Sequence, residues 1–379
     1  MRLAPLFIFW SLWFICFSTR TIFSPMLPLI EDHLSLSHGA SGGLFTSFSI
    51  GHSLTLLLAG RYASAWGFKK MVAVGFVGIG LVMIGVQWAE SYIGFQILFF
   101  LLGVAGGTYL PCIFPIMTTT YEDRHWGKVI GIHESAASFS IFSIPILVAF
   151  GLKSLSWKEI LFVHGIASLV LPILFWKVSA EPGLGASHTG GRIGDLLKRR
   201  STWIMIILWI FSVASSIGIY SILPLYLVKE RGIDFHLANT FFGISRIGGF
   251  LASIVVGFLA DRYGHERILR AVVLLTGLST MGISLSPNIP LVWVSLIFQA
   301  TFCTAFFPLG FSTISRLTSF SERSMAVGIT TSIGVAFGMG LTPFLLGLTA
   351  DYIDFRTGIL WLGILMTLTS FMVRFLRKT

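Results

Sequence analysis

The sequence predicts an all-α polytopic membrane protein, with twelve transmembrane helices in two pseudo-symmetric six-helix bundles. Three observations carry that prediction. Of the 379 residues, 55% are hydrophobic and only 11% charged, against roughly a quarter charged in globular domains. Apolar runs long enough to cross a bilayer, about twenty residues each, follow one another with little amphipathic alternation. The second half of the chain also repeats landmarks of the first at a nearly constant offset.

The first element is the run Leu3 to Ile30, which carries Arg20 near its middle. Arg2 followed by apolar residues imitates a secretory signal. Arg20, however, stands where a small-residue cleavage site is needed, so the segment reads as an uncleaved first helix. Further spans fall near 40–63, 70–89, 92–119, 128–151, 158–177, 202–228, 237–260, 268–286, 290–315, 324–350 and 355–375. Most connections are short. The exception, Val178 to Arg200, contains EPGLGASHTGG and the basic run KRR and has linker composition. It separates an N-terminal bundle, 1–178, from a C-terminal bundle, 201–379, with 179–200 as the linker.

The excess of 26 Lys and Arg over 16 Asp and Glu reads here as topology, with no nucleic-acid partner expected. Alternating the loops places Arg61, Lys69, Lys70, Arg124, Lys128, Arg192, Lys198, Arg262, Arg267 and Arg316, among others, on one face. The opposite face keeps Lys153, Lys158, Lys229, Arg231 and Arg356. The positive-inside rule then puts both termini and the linker in the cytoplasm. Cys16, Cys112 and Cys303 all fall inside spans without ligand spacing, so neither a disulfide frame nor a metal site is expected. Short loops and the absence of an N-x-S/T sequon favour a bacterial inner membrane.

The internal repeat is specific. SPMLPL at Ser24–Leu29 recurs as YSILPL at Tyr220–Leu225, and GRYASAWGFKK at Gly60–Lys70 recurs as GFLADRYGHER at Gly257–Arg267. Pro111 pairs with Pro308 and Gly131 with Gly328 at the same spacing. Each half starts on the same side, so the two are parallel repeats about an axis along the membrane normal.

GFLADRYGHER resembles the signature loop of the major facilitator superfamily, G-x-x-x-D-R-x-G-x-x-R, here Gly257, Asp261, Arg262, Gly264 and Arg267. The first copy keeps Gly60, Gly67, Lys69 and Lys70 but has Ser64 and Ala65 where that family has its acid and base. The resemblance covers the whole chain and implies two bundles that rock about a central site. It also implies that these loops latch one conformation, Asp261 and Arg262 pairing with a helix terminus or with each other. A topological role for the basic residues is the alternative.

Away from the rims the unambiguous charges are Arg20, Glu134 and Arg246. Charges at that depth are costly and mark pathways or partners. The resemblance places all three on helices lining or flanking the cavity. Two arginines, one from each half, suit a carboxylate, sulfonate or phosphate, since each presents a rigid, permanently charged fork. An ion pair between Arg20 and Glu134 is the alternative for Arg20. Asn239, Phe242, Gly243, Gly249 and Phe250 share the Arg246 face by helical spacing.

Glu134 lies with Gly127, Gly131, Ala137 and Ser138 on a face that permits close helix approach. It is the first candidate for proton coupling, with His52 and His133 as further candidates. Each histidine can instead be a hydrogen-bonded packing residue. Adjacent positions diverge around a helix, so His133 and Glu134 are not expected to act as a dyad. Tyr109, Ser212, Ser216, Tyr220, Gln299, Phe302 and Phe306 are uncharged candidates for substrate contact, or otherwise helix packing.

The reading is therefore a secondary transporter of a small organic anion, coupled to protons or to exchange of a counter-anion. It is expected to work as a monomer in a lipid bilayer and to need no cofactor. A proton-driven exporter of drugs or other neutral or cationic compounds is the alternative. No HExxH pattern, phosphate-binding loop or plausible triad supports an enzyme or an ATP-driven pump.

Overall fold

The computed structural model describes residues 3–182 and 193–376. Twelve helices long and apolar enough to cross a membrane lie among them: Leu3–Leu34, His38–Gly60, Phe68–Trp88, Tyr92–Thr120, Trp126–Gly151 and Trp157–Val178, then Arg200–Glu230, Phe235–Tyr263, His265–Leu285, Ile289–Leu317, Met325–Tyr352 and Phe355–Phe375. We number them spans 1 to 12. No strand occurs among the described residues, as expected where lipid leaves backbone groups only intrahelical partners.

The helices start where side chains can replace missing backbone acceptors. Ser156 and Glu159 form a capping box at the start of span 6, and Asn288 caps the helix of span 10. Lipid-facing stripes stay exposed and apolar, as at Leu81, Val163, Ile173 and Phe258.

The chain forms two compact units. Met1–Ser35 with Ser47–Ser187 make the first, and Leu36–Thr46 with His188–Thr379 the second. The start of span 2 thus packs within the second unit, where the Asp351 carboxylate accepts from His38 N at 2.8 Å and Gly39 N at 2.9 Å. Within the first unit, span 1 packs on spans 5 and 6, and span 3 on span 6; within the second, span 9 packs on spans 10 and 12.

The repeat reappears in these contacts. A Cβ on Gly80 of span 3 would meet the Gly165 carbonyl of span 6 at 2.9 Å; one on Gly277 of span 9 would meet the Gly363 carbonyl of span 12 at 2.9 Å. Both bundles use a glycine pair to bring two backbones together, which apolar packing in lipid favours over bulk.

Several spans are interrupted. Span 1 breaks at Ile22, between Leu3–Thr21 and Phe23–Leu34, next to Pro25, which has no N–H for the Thr21 carbonyl. Span 4 breaks at Thr108 and span 8 at Ser245 and Arg246. Span 7 widens into π-helical turns at Ala214–Gly218 and Tyr226–Glu230, as does span 11 at Val335–Leu341. Such turns concentrate at functional positions.

Candidate functional site

Arg20 sits two residues before the break in span 1 and is 9% exposed. Its guanidinium lies 4.6 Å from the centroid of Phe17 and 5.8 Å from that of Trp13, rings one and two turns back on its own helix. Arg20 Nε is buried without a hydrogen-bond partner.

The alternative for Arg20, an ion pair with Glu134, is not formed among the described residues. Glu134 instead lies 3.0 Å from His133 Nδ1 through Oε1. This corrects the expectation that adjacent residues cannot form a dyad. The Cβ atoms do diverge, but the glutamate has enough rotatable bonds to fold back onto the neighbouring ring. The small-residue face also behaves otherwise than expected, since no atom lies within 4 Å of a Cβ built on Gly127 or Gly131. Glu134 therefore stands on an open face, its side chain 45% exposed, while His133 is fully buried.

His133 joins Tyr109. Tyr109 Oη is 3.0 Å from His133 Nε2 and 3.1 Å from the Phe9 carbonyl oxygen. Trp13 stacks on both rings, at 5.4 Å from Tyr109 and 5.6 Å from His133. Tyr109, read from sequence as a substrate contact, is thus tied into the core of the first unit. His52 is separate: buried, stacked on Phe48 at 5.7 Å, with Nδ1 lacking a partner.

In the second unit Arg246 occupies the break in span 8. Its N–H bonds Gly243 O at 3.0 Å, one residue tighter than an α-turn. Gly248 and Gly249 let the following segment press on span 10, where a Cβ on Gly249 would meet Thr304 Oγ1 at 2.6 Å. Arg246 is 6% exposed. It donates from Nη1 to Gln299 Oε1 at 3.3 Å and lies over Phe242 at 4.7 Å and Tyr220 at 5.4 Å. Gln299 Nε2 in turn donates to the Ser215 carbonyl, which lies on the first π-helical turn of span 7. Arg246 Nε and Nη2 are buried without partners, as are Ser212 Oγ and Ser215 Oγ. No carboxylate pairs with Arg246 among the described residues.

Of the other predicted contacts, Tyr220 and Gln299 gather at Arg246, and Ser216 is buried on the same wide turn that supplies Ser215. Phe302 does not join them. It stacks on Phe298, which is 52% exposed, at 6.0 Å. Phe250 is likewise exposed, because the break interrupts the helical register assumed for it.

The two loops of the repeat share one backbone feature. Gly67 has φ 100° and Gly264 φ 96°, values open to glycine. In the first loop the acid missing from the motif comes from elsewhere: the Glu181 carboxylate accepts from Phe68 N at 2.6 Å and Lys69 N at 3.2 Å. Lys69 Nζ donates to the carbonyls of Trp176 at 3.0 Å and Ser179 at 2.8 Å. Lys70 is exposed, and a Cβ on Gly60 would meet Pro111 at 4.0 Å. In the second loop Gly257 faces open space, Arg262 lies over Tyr263 at 5.3 Å, and Asp261 and Arg267 are exposed. No ion pair engages Asp261 among the described residues, so it pairs neither with Arg262 nor with Arg267 in this state.

The family model described as Major Facilitator Superfamily matches residues 9–289 and 210–379. The chain belongs to that superfamily. Relatives include a probable sulfoacetate transporter of Cupriavidus necator, 26% identical over 71% of this chain and 68% of that protein, and a gallate transporter of Pseudomonas putida, 24% identical over 73% and 69%. A multidrug resistance protein of Proteus mirabilis is 26% identical over 75% and 72%. Among solved structures, a mutant form of the nucleoside transporter NupG superposes with a TM-score of 0.84 at 14% identity, covering all of both chains. The chain is thus a multi-pass membrane transporter with the superfamily fold.

For a superfamily transporter two features escaped sequence reasoning. One is the helix break at Arg246, for which the neighbouring glycines were a visible signal. The other is Glu181, where an acid beside Pro182 at the linker start matches the preference of helix N-termini for negative charge.

Proposed function

We propose that this transporter carries a small organic anion, of carboxylate or sulfonate type, by alternating access. The observation that carries the reading is Arg246. A guanidinium buried to 6% exposure, with no carboxylate partner among the described residues and with Nε and Nη2 unpartnered, is costly unless an anion completes it. Arg20 repeats the arrangement in the first unit, lying on two aromatic faces with Nε open. Relatives named for sulfoacetate and gallate support an acidic substrate.

Ser216, Tyr220 and Gln299 complete the surroundings of Arg246, and protons or a counter-anion drive the cycle. Residues 1–178 and 201–379 act as the two moving bundles. The loops at Gly60–Lys70 and Gly257–Arg267 latch one state, with Glu181 supplying the acid in the first. The basic rim, the termini and the linker face the cytoplasm of a bacterial inner membrane, and the working unit is a monomer. The multidrug relative favours a second reading, export of neutral or cationic compounds. Thermal unfolding of the purified protein against organic anions, cations and sugars separates the two, since a ligand of the folded state raises its apparent stability. Stabilisation by sulfoacetate or gallate is expected; stabilisation by cations alone refutes the anion reading.

A further inference from the structure

One cluster in the first unit has a geometry that neither packing nor anion binding requires. His133, 0% exposed, has a partner on each ring nitrogen: Glu134 Oε1 at 3.0 Å from Nδ1 and Tyr109 Oη at 3.0 Å from Nε2. Tyr109 Oη has a second acceptor, the Phe9 carbonyl, at 3.1 Å. The hydroxyl can therefore point either way. In one setting it donates to a bare Nε2, and the ring is neutral with its proton on Nδ1, donated to Glu134. In the other it rotates to donate to Phe9 O, and its oxygen accepts from Nε2–H, so that both ring nitrogens carry protons. One added proton is accommodated with every hydrogen bond kept and no covalent bond broken except the one that delivers the proton. A histidine held only for packing needs one such arrangement, whereas this pocket supplies both.

Glu134 is the exposed member, on the open face of Gly127 and Gly131. A proton arriving at its carboxylate lies one hydrogen bond from Nδ1. Uptake goes through the Nε2–H tautomer, with Tyr109 donating to Phe9 O: Nδ1 is then bare, the Glu134 O–H bond breaks as the Nδ1–H bond forms, and the carboxylate is left accepting from Nδ1–H of the doubly protonated ring. The far end is closed, because Phe9 O is an acceptor only. The cluster stores a proton and does not conduct one across the bundle.

We infer that Tyr109, His133 and Glu134 form a proton-storage site that couples proton binding to anion binding at Arg20, so that the transporter is a symporter. This rests on the anion reading for its second partner only. The coupling element is Trp13, whose ring lies 5.6 Å from His133 on one side and 5.8 Å from the Arg20 guanidinium on another. The titratable and charged groups at the site are Arg20 and Cys16 of span 1, Tyr109 of span 4 and Glu134 of span 5, and His52 of span 2 lies within electrostatic reach of Arg20; Phe114 adds an aromatic edge. An imidazolium and a guanidinium near one ring repel each other. An anion seated on Arg20 removes that repulsion, and by linkage each ligand then promotes the other's binding by the same factor.

The test has a ligand-free arm and a ligand arm. Nitrogen-15 NMR of the His133 ring in the purified full-length protein should show Nδ1–H as the main neutral tautomer. Glu134→Gln should move the population toward Nε2–H, and Tyr109→Phe, which keeps the stacked ring but removes the hydroxyl, should hold Nδ1–H while altering the Nε2 shift. Ring shifts unchanged in both variants overturn the site. In the second arm, gallate and sulfoacetate are added to weakly buffered protein with a pH-indicator dye. Wild type should take up about one proton per anion bound, and Tyr109→Phe and His133→Asn well under half of that. Anion binding without proton uptake in wild type overturns the coupling. If neither probe binds, the anion reading fails while the NMR arm still decides the storage site.

Discussion

Replacing Arg246 by methionine separates a substrate-binding arginine from a structural one. Methionine keeps most of the length and the apolar stem but removes the charge. The folded protein without ligand then loses the Gln299 bond at 3.3 Å and the contacts over Phe242 and Tyr220. These amount to about 1.5–3 kcal/mol for a charged hydrogen bond and about 0.5–2 kcal/mol for each ring. Against this, the buried guanidinium carries a desolvation penalty of several kcal/mol, which the substitution relieves. The opposing contributions are similar in size, so the unliganded variant should unfold within a few degrees of wild type.

Anion binding has no such compensation. Two unpartnered donors, Nε and Nη2, would each give an anion a charge-assisted bond of about 1.5–3 kcal/mol. Losing both weakens binding by roughly 3–6 kcal/mol, or about 10²–10⁴-fold. Arg246→Lys, which retains charge without the planar fork, should fall between wild type and the methionine variant. Calorimetric titration with gallate and sulfoacetate, alongside thermal unfolding without ligand, reads both quantities. Affinity within threefold of wild type, or a large loss of unliganded stability with affinity retained, would refute the reasoning.

Two further predictions concern the scaffold. Gly277→Ala places a methyl 2.6 Å from Thr367 N and 2.9 Å from the Gly363 carbonyl, and should lower stability by about 1–3 kcal/mol; Gly328→Ala, with nothing within 4 Å, should be neutral or slightly stabilising in the same thermal assay. Glu322 outside the spans is held by Arg199, at 2.7 and 3.0 Å, and by Ser319, so its carboxyl is pushed down to about 2 from 4.5. A depressed acid contributes stability that is complete above the unfolded value and fades as pH falls toward the folded one. Wild type should therefore lose stability between about pH 4.5 and 2 more steeply than Glu322→Gln, measured by thermal unfolding; parallel profiles would show that the Arg199 contact adds nothing.

The fold was legible because bilayer physics writes it in composition. Twelve apolar runs, a basic rim and a 197-residue offset between Gly67 and Gly264 were all readable from one sequence, and both glycines have the same positive φ. Isolated charges were legible for the same reason, since Arg20 and Arg246 stand out wherever charge is rare. Their partners were legible only in part: Phe242, Tyr220 and Gln299 do gather at Arg246, whereas Glu134 turns to His133. Helical spacing gives the direction of a Cβ and not the path of a long side chain, which is how Glu134 reaches the adjacent His133. It also assumes an unbroken helix, so it carried Phe250 to the wrong side of the turn at Arg246. The breaks and the misplaced partners have one origin. A chain that must hold an unpaired guanidinium in a membrane has to release backbone and rings around it, and that local departure from helical regularity is invisible to a method built on the regularity. Sequence rules fail here at Arg20, Arg246 and His133, and those are the positions the functional proposals rest on.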